Sequence, residues 1–227
     1  MHAAKNKQLP EPASEPTSTL VLTSPGQRFV DIRLTKVAPA GTPPYWAVAG
    51  ETYKDGQGNC RWVHAIDSRQ DEPGEDTGTM KQLEDGDWFE EGEMVDFDDG
   101  KLKKYEEVWR DLTIKPTVSV VLDLRTDTAS GRVVRVGGYC QGIIKVSGVV
   151  TCERWAWNGR VWEMAYRNGP ERLPCEIACT GDYEEIQITE TSVEVETMGS
   201  VVTANLKLGE KVECGGHEWV VTEESVW

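Results

Sequence analysis

The chain has 227 residues, of which 38% are apolar and nine are tryptophan, so one large or two small packed cores are both open to it, and collagen-like or low-complexity disorder is excluded. No apolar run is long enough to span a bilayer, and the opening MHAAKNKQLPEPASEPTST has no stretch of signal-peptide length, so a soluble intracellular protein without a membrane partner is expected. The net charge of -15 repels a phosphate backbone and argues against nucleic acid as a general partner.

Residues 1–16, with Pro10, Pro12 and Pro16 and no apolar period, read as a disordered tail. Beyond them, short alternating runs bounded by turn residues recur, and helix signals are scarce. In Phe29 to Thr35, Val30, Ile32 and Leu34 share one face, expected to be core, and Asp31 and Arg33 share the other. Similar runs are Tyr45 to Tyr53, Asn59 to Asp67, Trp88 to Phe97, Lys104 to Leu112, Thr117 to Arg125 and Arg132 to Gln141. They continue with Val149 to Trp157, Arg160 to Arg167, Tyr183 to Thr189, Ser192 to Thr197 and Glu218 to Thr222. Asp55-Gly56, Asp85-Gly86, Asp99-Gly100, Asn158-Gly159 and Asn168-Gly169 are turn dipeptides between them. The expected class is all-β, a succession of antiparallel meanders.

The chain also repeats itself. Asp31-Ile32-Arg33 recurs as Asp123-Leu124-Arg125 and Cys60 recurs as Cys152, both at an offset of 92 residues, with Trp62 and Trp155 following the two cysteines. Gly86-Asp87-Trp88 meets Gly181-Asp182-Tyr183, and Glu107-Val108-Trp109 meets His217-Glu218-Trp219, at longer offsets in the same order. This pattern predicts an internal duplication of a strand-rich unit, divided near Ile114 to Thr117 into residues 17–115 and 116–227. Closure of each unit into a small barrel removes the exposed edges of an open meander.

Six cysteines in a chain of this kind are expected to be reduced thiols, and no cofactor or metal is predicted, since Cys175 and Cys179 lack a second ligand pair. Asp96-Phe97-Asp98-Asp99-Gly100 fails the register of a calcium loop and reads as an acidic hairpin turn. His64 and Asp67 could form a base and its orienting carboxylate, but no nucleophile motif accompanies them, so a packed or surface histidine is expected.

Tyr45-Trp46-Ala47-Val48-Ala49-Gly50, the strand from Trp62 to Asp67, Glu107-Val108-Trp109, Gln141-Gly142-Ile143 and Gly216-His217-Glu218-Trp219-Val220 together resemble the fungal HRI family, proteins named for interacting with a yeast casein kinase I homologue. The resemblance runs from about Phe29 to Val221. It implies two successive lipocalin-like β-barrels, a cytoplasmic and nuclear location, a casein kinase I homologue as protein partner, and no enzymatic activity. It supplies no catalytic residue.

Two functions follow as expectations. The first is a non-enzymatic interaction protein. Asp71 to Asp99 holds thirteen carboxylates against the single Lys81, a potential that steers basic surfaces, and Glu84, Asp85, Glu90, Glu91, Glu93 and Asp87 are its candidate partner-binding residues. The alternative is a carrier of a small apolar ligand. An open lumen with aromatic walls and an arginine at its base would suit an apolar acid, which singles out Arg33, Trp46 and Trp62 in the first unit and Arg125 and Trp155 in the second. An outward Asp-Arg pair is the competing expectation for both arginines.

Overall fold

Alternation in the sequence becomes strands along most of the chain. The computed structural model describes residues 2–7, 14–72, 74–96, 99–112, 118–180 and 206–226. The first unit contains β1 (His2–Lys7), β2 (Thr17–Thr23), β3 (Arg28–Thr35), β4 (Trp46–Lys54), β5 (Asn59–Asp67), β6 (Gly74–Gln82), β7 (Trp88–Val95) and β8 (Leu102–Asp111). The second contains β9 (Val118–Arg125), β10 (Ala129–Val136), β11 (Tyr139–Val146), β12 (Val149–Trp157), β13 (Trp162–Asn168), α1 (Cys175–Ala178), β14 (Lys211–Cys214) and β15 (His217–Val226).

Strands β1 to β8 close into an antiparallel barrel in sequence order. The second unit is a seven-stranded antiparallel sheet ordered β13-β12-β11-β10-β9-β15-β14, in which β15 returns to pair with β9. The all-β class and the tandem duplication are therefore both present. The expected division at residues 115 and 116 lies outside the described residues, between β8 and β9.

Four expectations need correction or qualification. His2–Lys7, assigned to a disordered tail, pairs along Asp111–Glu106 of β8, because backbone pairing needs no apolar period. Strand β6 went unread because Gly74 to Gln82 carries almost no apolar residue. The run from Arg132 to Gln141 is the end of β10 and the start of β11, folded back at Gly137, whose φ is 56°. The runs Tyr183 to Thr189 and Ser192 to Thr197 lie outside the described residues.

Faces are assigned with an inversion. In β3, Val30 and Ile32 do share a buried face, but it is the outside of the barrel, packed with Leu20, Leu22, Ala47, Ala49 and Ile66 against Val121, Val134, Val136, Ile143 and Cys152 of the second unit. Residues 29, 31 and 33 of the same strand face the barrel lumen, where Phe29 packs with Trp46 and Val48. The largest apolar cluster lies inside the second unit, around Val120, Leu122, Val133, Ile144 and the fully buried Trp219.

Polar side chains secure the join between the units. Gln141 donates to the carbonyls of Leu20 at 2.9 Å and Val30 at 3.1 Å, and Arg154 donates to Gln141 Oε1 at 2.8 Å and to the Ile32 carbonyl at 2.6 Å. Burial of Arg154 lowers its pKa to about 10, although Asp31 works the other way. Arg132 reaches the Gly50 carbonyl. Gly50 sits at a register shift between β4 and β5, and a Cβ there would come 1.8 Å from the Val63 carbonyl oxygen, so only glycine fits.

Candidate functional site

The lumen of the first barrel holds a cavity of about 570 Å³, within the range of small-molecule sites. Its wall comes from alternate residues of consecutive strands. Strand β3 supplies Phe29, Asp31 and Arg33; β4 supplies Trp46 and Val48; β5 supplies Trp62 and His64. Asp76 and Met80 of β6, Glu90 and Met94 of β7, and Tyr105, Glu107 and Trp109 of β8 complete it.

Arg33 is the centre of this wall. Its Nε donates to Asp31 Oδ2 at 3.0 Å, and its Nη1 and Nη2 donate to Glu107 at 2.7 and 3.4 Å. The guanidinium carbon lies 5.1 Å from the Trp46 ring centroid and 5.5 Å from that of Trp109, so it sits among two rings and two carboxylates. Burial opposes its charge, but Asp31 and Glu107 more than offset that and hold the group ionised, well above its ordinary range. Burial likewise raises the Asp31 carboxyl despite Arg33.

A second charged group adjoins the first. Glu90 and Glu107 are directly opposite each other on β7 and β8, a like-charge pair that destabilises a sheet unless a cation or a proton intervenes. Glu107 has Arg33. Glu90 accepts from the Tyr105 hydroxyl at 2.7 Å, and burial first and Glu107 second push its carboxyl up to about 7. Burial, followed by Glu90, raises the Tyr105 phenol far above its ordinary value, so it remains a donor.

His64 is packed edge-on against Trp46 and Phe29, at centroid separations of 5.8 and 6.3 Å. Its Nδ1 lies 3.5 Å from Asp67 Oδ2 and its Nε2 3.3 Å from Asp76 Oδ2. Burial works to raise the Asp67 carboxyl, yet hydrogen bonds from His64, the Arg69 amide and the Trp46 indole hold it below its usual range. The Asp76 carboxyl is raised, by burial first.

Arg33, Trp46 and Trp62 line one cavity, with Arg33 inward rather than in an outward pair. Arg33 is not free to receive an apolar acid, because Asp31 and Glu107 already occupy its donors. Arg125 is exposed at the end of β9 and does not line the cavity of the first barrel, which corrects its assignment as the counterpart of Arg33 in a lumen. Trp155 packs against the interior cluster of the second unit and donates from Nε1 to Glu153 Oε2 at 2.9 Å. Among the described residues that interior is close-packed at Trp219, whose ring leaves no room for a Cβ on Gly131.

The proposed partner surface divides in two. Glu84, Asp85, Glu91 and Glu93 are exposed. Asp87 is buried and paired with Arg110 at 2.8 Å, and Glu90 faces the lumen, so neither is available to a partner. Asp96 and Asp99 pair with Lys103 at 2.9 and 3.2 Å within the acidic hairpin. The reading from sequence missed Asp31, Glu107, Tyr105 and Asp76 as lumen groups. Period-two alternation with Arg33 was the available signal for Asp31.

The sequence matches the family model described as Protein HRI1 over residues 6–223. The chain belongs to this family. Its fold is similar to the crystal structure of the uncharacterised protein YLR301w from Saccharomyces cerevisiae, with a TM-score of 0.69, 20% identity and 99% of each chain covered. The sequence has no significant match among curated proteins.

Proposed function

We propose that this family member is a non-catalytic binding protein for a small organic ligand, held in the lumen of the first barrel. The observation that carries the reading is the contrast between the two interiors. Among the described residues the second unit packs around Trp219, whereas the first keeps a cavity of about 570 Å³ among aromatic rings and charged side chains. A barrel that needed only stability would gain by filling that space, since each unfilled methylene position costs about 1 kcal/mol.

Native mass spectrometry of the full chain from its own host tests this. A stoichiometric bound mass below that of a peptide, released on denaturation, supports the reading. A bare protein whose tryptophan emission responds saturably to no member of a panel of small organic compounds overturns it.

A second reading, docking on a basic protein such as a casein kinase I homologue, is supported by the family resemblance and by the four exposed carboxylates Glu84, Asp85, Glu91 and Glu93.

A further inference from the structure

We infer that the lumen of the first barrel is built for an organic cation, a protonated amine or quaternary ammonium carried on an apolar or aromatic frame; this rests on that lumen being the ligand site. Three independent features of the wall converge on it.

The first is charge. The carboxylates Asp31, Asp76, Glu90 and Glu107 line the interior against one guanidinium, Arg33, and the imidazole of His64; the exposed Lys54 and Asp111, which also line the cavity, offset each other. An anionic guest would enter a field of its own sign. A neutral guest would bury carboxylates that it could not compensate.

The second is an unsatisfied acceptor. Asp31 is 5% exposed, and its Oδ1 has no hydrogen-bond partner among the described residues. Glu90, 6% exposed, forms no ion pair among them although it faces Glu107 across the β7–β8 ladder. The unpartnered oxygen of Asp31 is costly, as is the Glu90 carboxylate, which is hydrogen-bonded by Tyr105 but has no ion-pair partner among the described residues, and a donor cation removes both costs.

The third is the ring geometry. Trp62 lies directly opposite Asp76 on β5 and β6, so a ring and a carboxylate stand side by side on the lumen face. The protein already shows how such a pairing holds a cation, since Arg33 is set between Trp46, Trp109 and two carboxylates in the same cavity. Trp62 and Asp76 offer a ring and a carboxylate of the same chemistry with only the His64 imidazole, and no guanidinium, against the carboxylate among the described residues, and Glu90 lines the same cavity.

The measurement is a tryptophan-fluorescence titration of the full chain with a matched set of phenylbutylamine, phenylbutanol and phenylbutyrate at about pH 8, above the value of about 7 to which Glu90 is raised. The amine is expected to bind about tenfold or more tightly than the alcohol, and the carboxylate most weakly. Glu90→Gln and Asp31→Asn, which preserve shape, should each weaken the amine several-fold and narrow its preference over the alcohol. Equal or tighter binding of the alcohol or carboxylate overturns the cation assignment while leaving the lumen as a ligand site. No saturable response to any of the three up to about 1 mM overturns both.

Discussion

Arg33 and Arg135 occupy matching positions in the two units. Arg33 on β3 pairs with Thr19 of β2 and Trp46 of β4, and Arg135 on β10 pairs with Val120 of β9 and Cys140 of β11. Each points to the inside of its unit and stacks on tryptophan, Arg33 on Trp46 and Trp109 and Arg135 on Trp162 at 5.0 Å. Their partners have diverged. Arg33 is held by carboxylates, whereas Arg135 donates to the carbonyls of Ala178 at 2.9 Å and Thr180 at 3.0 Å. The first unit therefore keeps a charged, open interior, and the second uses its arginine to pin the C-terminal end of α1 over its apolar cluster.

That divergence gives a pH-dependent deficit for one of two equivalent substitutions and a pH-independent one for the other. Arg33→Met leaves Asp31 and Glu107 buried without their cation, a loss of about 3 to 5 kcal/mol when both are ionised. The deficit should shrink as pH falls and the carboxylates protonate. Arg135→Met removes donors to backbone carbonyls, about 1 to 3 kcal/mol, with no such dependence. Urea unfolding of both variants at acidic and alkaline pH distinguishes them. An Arg33→Met deficit that does not change with pH would show that its carboxylates carry no charge to compensate.

Glu90 makes a second pH prediction. Its folded pKa, about 7, lies above the ordinary 4.5, so the folded state binds the proton more tightly. Stability from this group is present at low pH and is lost as pH rises from about 4.5 through about 7. Glu90→Gln keeps an acceptor for Tyr105 and removes the titration. The variant should exceed the wild type in stability above neutral pH, by on the order of 2 kcal/mol, and match it near pH 4. Thermal melts across that range read the difference, and a variant less stable at alkaline pH would contradict the burial of an uncompensated charge.

The residues that were misassigned from sequence share one physical cause. Alternation separates the faces of β3 correctly, but polar and apolar do not say which face is inside when a barrel encloses charges and presents its outer face to another unit. The offset of 92 aligned Arg33 with Arg125 because Asp-x-Arg recurs, although β9 is the counterpart of β2. Strand pairing places Arg135 there instead. Trp46 and Trp62 were legible as lumen residues because bulky aromatics have few other places in a small barrel. Asp76, on a strand nearly devoid of apolar residues, gave no pattern to read.

The apolar join between the units should make unfolding a single transition. Val121, Val134, Val136 and Ile143 of the second unit are covered by the outer face of the first, so separation would expose them. Gln141→Ala removes the two cross-unit hydrogen bonds that its amide donates and leaves Arg154 without its 2.8 Å acceptor, at a cost of about 1 to 3 kcal/mol. Circular dichroism and intrinsic fluorescence should report one coincident urea transition in both proteins. Two separated transitions in the wild type would mean that each unit holds its structure without the other.

For docking on a basic partner, the exposed set is smaller than the charge of the segment suggests. Glu84, Asp85, Glu91 and Glu93 face solvent, and Lys103 and Lys104 line the same outer groove as Glu91 and Glu93. The field is correspondingly local and falls off within about 10 Å at 0.1 M salt. Changing these four to amides while leaving Asp87 and Glu90 intact should preserve the melt, because neither Arg110 nor the lumen is disturbed. The association rate with a casein kinase I homologue, measured by surface plasmon resonance at low ionic strength, should fall several-fold and lose most of its salt dependence. An unchanged rate would remove this face of the barrel from the encounter.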